Sequence, residues 1–296
     1  MSLSNASPAL GVIETDAPRR PIAAPSGGSL LRSELTVLFR RGRTLAMLGA
    51  LAAIPIMIAL AIRLSPAKLS AAKGPPFLDQ VSNNGLFLVV TALLISLPLF
   101  LPLTIGVVAG DTIAGEASLG TLRYLLIAPA GRIRLLLVKY AGVAAFCFVG
   151  TAVVAITGTV VGLTVFPVGP VTLLSGDTVG IGEAIGRLSL VSAFVFVSLL
   201  GLSAIGLFIS TLTVVPVGAM AATVVMSVVV QILDALPQLG WLHPWLFSHY
   251  WIDFADLLRQ PMSFASFGDN ALLQLGYIVV FGALAIGRFA SKDVLS

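Results

Sequence analysis

Charge is what this chain has least of. Asp, Glu, Lys and Arg make up 10 % of its 296 residues, against about 25 % in soluble domains. So few charges cannot cover a water-facing surface of this size, which excludes a soluble globular fold. Cysteine occurs once, at Cys147, ruling out an intrachain disulfide and a cysteine metal cluster. No Gly–Lys dipeptide occurs, so a phosphate-binding loop with its lysine cannot be built. Residues 174–177, LSGD, lack the second glycine of a nucleotide-signature loop. The two histidines, His243 and His249, are spaced i, i+6. That spacing is wrong for a pair on one helix face, and two ligands make a poor site, so no metal is expected. The long apolar blocks carry no charge at mid-depth, which argues against ion-coupled transport and intramembrane proteolysis. There is no tandem repeat and no similarity between the two halves, which counts against transporters built on inverted repeats.

What is abundant is apolar sequence. Hydrophobic residues are 57 % and the mean hydropathy is +1.04. They come in continuous blocks that could cross a bilayer, which takes about 20 residues. The blocks do not alternate with polar residues, so a membrane barrel is disfavoured. Six spans are predicted at about 44–62, 86–110, 135–165, 188–209, 214–233 and 271–287. The third is long enough to tilt or to begin outside the bilayer. The fourth and fifth share 46 residues without a charge, between Arg187 and Asp234. A tight turn at Ser210–Val215 separates them, with Pro216 opening the next helix where its missing N–H is not needed. Pro55, Pro98 and Pro102 predict kinks in the first two spans. Gly106 with Gly110, Gly158 with Gly162, and Gly206 with Ser210 sit at the spacing that lets helices approach closely.

Residues 1–28 hold several prolines and glycines and few large apolar residues, and read as a disordered tail rather than a signal peptide. Residues 29–296 read as one transmembrane domain. Its first segment, 29–43, spaces Leu31, Leu35 and Leu38 helically among Arg32, Arg40, Arg41 and Arg43. This fits an interfacial amphipathic helix whose arginines reach membrane lipids. Twelve of the seventeen lysines and arginines fall on one side of the six-span arrangement, together with both termini and 111–139. The positive-inside rule makes that side cytoplasmic. On the other side, 234–270 is rich in aromatic residues, including Trp241, Trp245, Tyr250, Trp251 and Phe254. It reads as short external helices that dip into the outer leaflet, Trp245–Leu258 forming an amphipathic helix of nearly four turns.

The charged, glycine-punctuated stretch lies between Asp111 and Lys139. Thr112–Leu119 can form a short helix with Asp111 as its N-cap and Glu116 in its first turns. Gly120 breaks it, Thr121 caps the next turn, and Pro129 and Gly131 make a second break. A plain connector between spans would be shorter. The leucine-rich pattern argues against disorder.

The combination of Asp111, Glu116, Gly120, Thr121, Leu122, Leu126, Pro129, Arg132 and Lys139 resembles the signature of the membrane (permease) subunits of type-2 ABC exporters. The basic entry helix, six spans, tight fourth–fifth turn and external helices are similar to that family along the whole chain. The fold implied is all-α and integral to the membrane. It has a cytoplasmic coupling hairpin after the second span and short external re-entrant helices before the sixth. The resemblance implies an ATPase-coupling surface of Asp111, Glu116, Gly120, Thr121, Leu122, Arg123, Pro129 and Arg132. Glu116 and Arg123 would face the partner, and Arg40, Arg41 and Arg43 would lie at the membrane interface. It also implies two copies of a separate ABC ATP-binding subunit, with ATP and magnesium bound there and no cofactor or catalysis here. A second membrane subunit, identical or related, would complete the pathway, and no nucleic acid is involved. The location implied is the plasma or inner membrane, multi-pass, with both termini cytoplasmic. Two other classes share parts of the pattern. A secondary transporter or channel would need polar residues at mid-span, and a membrane scaffold for a soluble partner would share the hairpin.

The topology is testable. Single cysteines in a Cys147→Ala background should react with an impermeant thiol reagent from outside at positions 73, 180 and 260. Labelling of position 120 in intact cells would overturn the arrangement.

Overall fold

The computed structural model describes residues 27–64, 78–120 and 131–291. Helix α1 is Gly27–Arg40. After Arg41 the chain turns into α2, Gly42–Leu64, which runs through Pro55. Then follow α3, Leu78–Asn83, α4, Phe87–Ser96, α5, Phe100–Ser118, and α6, Arg132–Val165. A two-stranded antiparallel hairpin comes next, β1 Val171–Thr172 and β2 Thr178–Val179, with Gly176 at φ +93° in its turn. The remainder is α7, Ile181–Leu212, α8, Pro216–Asp234, three 3₁₀ segments, and α9, Ala265–Ser291. Six helices among the described residues are long and apolar enough to cross a membrane. The chain thus has the architecture of a multi-pass helical membrane protein.

The spans expected at 44–62, 135–165 and 188–209 fall within α2, α6 and α7, and 214–233 matches α8 to within two residues; the turn expected at Ser210–Val215 is shorter, residues 213–215, since α7 runs on to Leu212. Pro216 opens α8 as its missing N–H predicts. The span expected at 86–110 is different. It is broken between Ser96 and Phe100, because Pro98 cannot donate to the helical ladder and its ring crowds the preceding turn. Pro102 sits in the first turn of α5, where its missing N–H costs nothing. Nor does the lower half stop at Gly110. α5 continues through Asp111 to Ser118, so Asp111 is a mid-helix residue and not the N-cap of a separate short helix. The helix that carries the sixth span is longer than the expected 271–287, since α9 begins at Ala265 and its candidate span runs to Phe289. The β-hairpin that carries residues 174–177 had no counterpart in the expected all-α fold.

Helix α7 is the most enclosed of the six long apolar helices, with Val191, Phe194, Val195, Leu199 and Leu202 buried. α5 lies against both α7 and α8, and α9 packs along α7. The outward faces of α2, α8 and α9 expose Met57, Val217, Val225, Leu272 and Val279, as helices bordered by lipid should.

Lipid tails are as apolar as leucine, so these helices gain from packing rather than from leaving water. Small residues set the closest contacts. A Cβ at Gly110 would fall 2.6 Å from the Met220 backbone nitrogen, and one at Gly206 2.7 Å from Ala109 Cβ. Gly85 and Gly162 oppose each other so tightly that a Cβ on either would lie 2.1 Å from the other's carbonyl oxygen. Gly162→Ala should therefore cost about 1–3 kcal/mol, the usual range for overpacking. It should lower the melting temperature in detergent. Gly169→Ala, in open space, should not, and identical melting curves would show the α6 contact to be loose.

Candidate functional site

One end of the bundle gathers charged residues from four elements. Lys139, in the second turn of α6, is only 5 % exposed. An ammonium this deep must be paired, since desolvating an unpaired ion costs several kcal/mol. Its Nζ donates to both carboxylate oxygens of Glu34 on α1, each at 2.9 Å, and to Glu116 Oε1 on α5. Beside it, Asp111 on α5 accepts from Arg41 Nη1 at 3.0 Å and from Arg43 Nη2. These two pairs clamp the entry segment and the last turns of α5 together, and Lys139 adds α6.

Backbone chemistry reinforces the junction. Ser210, near the end of α7, donates to the Gly110 carbonyl at 2.7 Å and accepts from the Ile113 and Ala114 N–H groups. A hydroxyl from α7 thus attaches to the ladder of α5 just where that helix leaves the apolar layer. Ile113, Leu136, Leu207, Ala285 and Phe289 form a small apolar core at the same end, joining α5, α6, α7 and α9. α5 then ends at Gly120, whose φ of +69° is the left-handed conformation that glycine supplies at helix C-termini. Leu119 beside it is exposed.

Of the site residues expected from sequence, Asp111, Glu116, Arg41 and Arg43 come together here. Arg40 ends α1 and is exposed. Arg41 and Arg43 engage Asp111, so in the structure their first partner is a carboxylate of this chain rather than lipid. Glu116 likewise turns to Lys139 within the chain; its side chain is 18 % exposed. Thr121, Leu122, Arg123 and Pro129 lie outside the described residues, and Arg132 opens α6. Glu34 was missed, although a signal existed. It is the single acidic residue in an arginine-rich stretch whose apolar residues face the same way.

The opposite end of the bundle holds a second polar cluster. Buried Arg187 at the start of α7 donates to the Leu257 and Arg259 carbonyls at 3.1 and 2.8 Å and to Gln260 Oε1 at 2.6 Å. It also pairs with Glu183. These bonds hold the third 3₁₀ segment, His249–Leu258, over α7. The expected four-turn α-helix at Trp245–Leu258 is therefore replaced by two 3₁₀ segments, His243–Trp245 and His249–Leu258. Trp251, Phe254 and Leu257 recur every third residue and are buried. A 3₁₀ helix, with three residues per turn, aligns that repeat on one face. The Trp251 indole donates to the Ser198 carbonyl at 3.1 Å.

The same arrangement corrects the spacing argument against the histidines. His243 and His249 do not share a helix, so the i, i+6 rule does not apply. One ligand atom each of Asp234, His243 and His249 lies within 4.8 Å of the others. Burial pushes the nearby Asp253 carboxyl above the usual carboxylate range. His249 opposes that shift, and the carboxylates of Asp256 and Asp234 add to it.

A family model described as a protein of unknown function (DUF2705) matches residues 55–295. No curated protein matches the chain.

The two ion clusters differ in burial, and their variants should differ accordingly. Lys139→Met leaves two carboxylates facing each other and should destabilise the protein by about 3–5 kcal/mol. Arg41→Ala removes a half-exposed partner and should cost under about 1 kcal/mol. Thermal unfolding in one detergent compares them, and equal losses would contradict the burial argument.

Proposed function

The chain belongs to the DUF2705 family, and we propose that it is the membrane subunit of an ATP-driven exporter, coupled to a separate ATP-hydrolysing subunit. The observation that carries this reading is the way α5 ends. It continues as one helix past the apolar layer to Ser118, is ion-paired to α1 and α6 through Glu116 and Lys139, and stops at a left-handed Gly120. A braced rod is a suitable support for a segment that receives force. The segment it carries, 121–130, contains Thr121, Leu122, Arg123 and Pro129 of the signature that resembles type-2 ABC permeases.

In this reading Arg123 meets the ATPase. Asp111 and Glu116, through their ion pairs within the chain, hold the base of the lever. Closure of two ATPase subunits around ATP would push on 121–130. The ion-paired end of α5 would then pass the displacement to α7 and α8, against which it packs. Two such membrane chains, identical or related, would enclose the pathway. The apolar spans suit a lipid, a hydrophobic drug or a lipid-linked glycan.

Co-purification with the candidate ATPase, followed by hydrolysis and transport assays, tests the proposal. The isolated chain should not bind nucleotide. Arg123→Ala should weaken assembly or uncouple hydrolysis from transport by about thirtyfold or more, the effect of losing one buried charged contact. Gly120→Val should do the same, because a β-branched residue resists the left-handed conformation found there. Arg259→Ala, at the opposite end of the bundle, should leave coupling intact. Stoichiometric ATP binding by the chain alone, or parental behaviour of both variants, would reject the exporter.

A further inference from the structure

The end of the bundle opposite Lys139 carries a group of side chains that the exporter reading does not use. Asp234 is the last residue of α8. His243 opens the second 3₁₀ segment and His249 opens the third. Nine and fifteen residues separate the histidines from the aspartate along the chain, yet one ligand atom from each lies within 4.8 Å of the other two. We propose that Asp234, His243 and His249 form a binding site for one divalent first-row transition-metal ion of the zinc class.

The chemistry of the set fits that cargo. Two imidazoles and one carboxylate are a donor combination that zinc and its neighbours accept, with remaining positions open to water. Calcium and magnesium, which prefer an all-oxygen shell, are not suited. The groups are already held near their places. The Asp234 carboxylate lies 2.9 Å from His249 Nδ1, and His243 Nε2 lies 3.1 Å from the Leu236 carbonyl. The two imidazole rings are 5.9 Å apart. Ligands of a tetrahedral ion with bonds near 2 Å sit roughly 3.3 Å from one another, so a closure of at most 1–2 Å, roughly, would seat the metal. The site is half-buried: the His249 and Asp234 side chains are 32 % and 22 % exposed, which leaves an entry path. Asp234 also stands at a helix C-terminus, where the helix dipole favours a cation.

A bound ion would have a structural consequence. It would tie the end of α8 to the 3₁₀ segments, the third of which is already fixed to α7 by Trp251 and Arg187. The metal would thus cross-brace α8 to α7 at this end. The proposal stands independently of the exporter reading.

The full chain carrying a histidine-free affinity tag, titrated with zinc alone, gives the test. One zinc should bind per chain, with micromolar or tighter affinity by calorimetry. A saturating excess should raise the melting temperature by several degrees, as expected for a ligand of the folded state. His243→Ala and His249→Ala should each weaken binding at least tenfold, and Asp177→Asn should not. A second measurement needs no variant. His243 and His249 are the chain's two histidines, so zinc should protect both from diethylpyrocarbonate, read by mass. Failure of the parent chain to bind zinc, binding that persists in both histidine variants, or no protection of either ring would overturn the site.

Discussion

The ammonium of Lys139 is the contact on which the arrangement of one whole end depends. It is almost fully enclosed, and its two carboxylate partners come from α1, 105 residues earlier in the chain, and from α5, 23 residues earlier. Neither pairing can be surrendered cheaply, because the ion left behind would be without water. The three elements are therefore constrained to move together or not at all. The half-exposed Arg41 and Arg43 pairs with Asp111 are weaker individually, yet they attach the linker between α1 and α2 to the same helix. The entry segment is thus a brace on the end of α5 as much as a basic flank of a span.

Much of the fold was legible because lipid imposes simple rules. Charge-free blocks of sufficient length became helices, and Pro216 opened one, since backbone groups in an apolar layer must pair within their own segment. The misreadings have physical causes. Asp111 resembled a helix start because an aspartate inside an apolar helix is costly. Arg41 and Arg43 neutralise it, so the helix can run on. The break at Pro98 was readable in kind but not in degree: a proline may bend a helix or interrupt it, and packing decides. Glu34 and Lys139 were visible as charges, but their meeting depends on how α1 lies across α5 and α6, which no local spacing encodes. The histidine cluster was hidden for the same reason. Its side chains converge through two 3₁₀ segments, and the three-residue period of the longer one, at Trp251, Phe254 and Leu257, was present in the sequence and was read as an α-helix.

The two ends of the bundle are held by different chemistry. At the Lys139 end the contacts are ion pairs and one hydroxyl, Ser210, bridging α7 to the backbone of α5. At the other end a single buried guanidinium, Arg187, divides its donors between the Leu257 and Arg259 carbonyls, the Gln260 amide and the Glu183 carboxylate. Asn270 donates to Ser198 Oγ at 2.8 Å, and Gln274 to the Phe247 carbonyl at 2.8 Å, fastening α9 to the same cap. Contacts of this second kind are directional and short-ranged. They fix an orientation without creating a long-range field.

Helix α7 takes part in both. Its last turns receive α5 through Ser210, and its first turns carry the cap through Arg187, with Ser198 between them accepting from Trp251. It is 32 residues long and free of proline. A helix of that length, packed tightly along α5 and α9, resists bending because each bend would open close-packed contacts on one side. A displacement of the α5 end would then tilt α7 as a unit and shift the cap at the far end. No separate relay through side chains is required. In the exporter reading, this gives the stroke delivered at 121–130 a direct route to the opposite surface, and the rigidity of the ion-paired junction sets how much of it arrives.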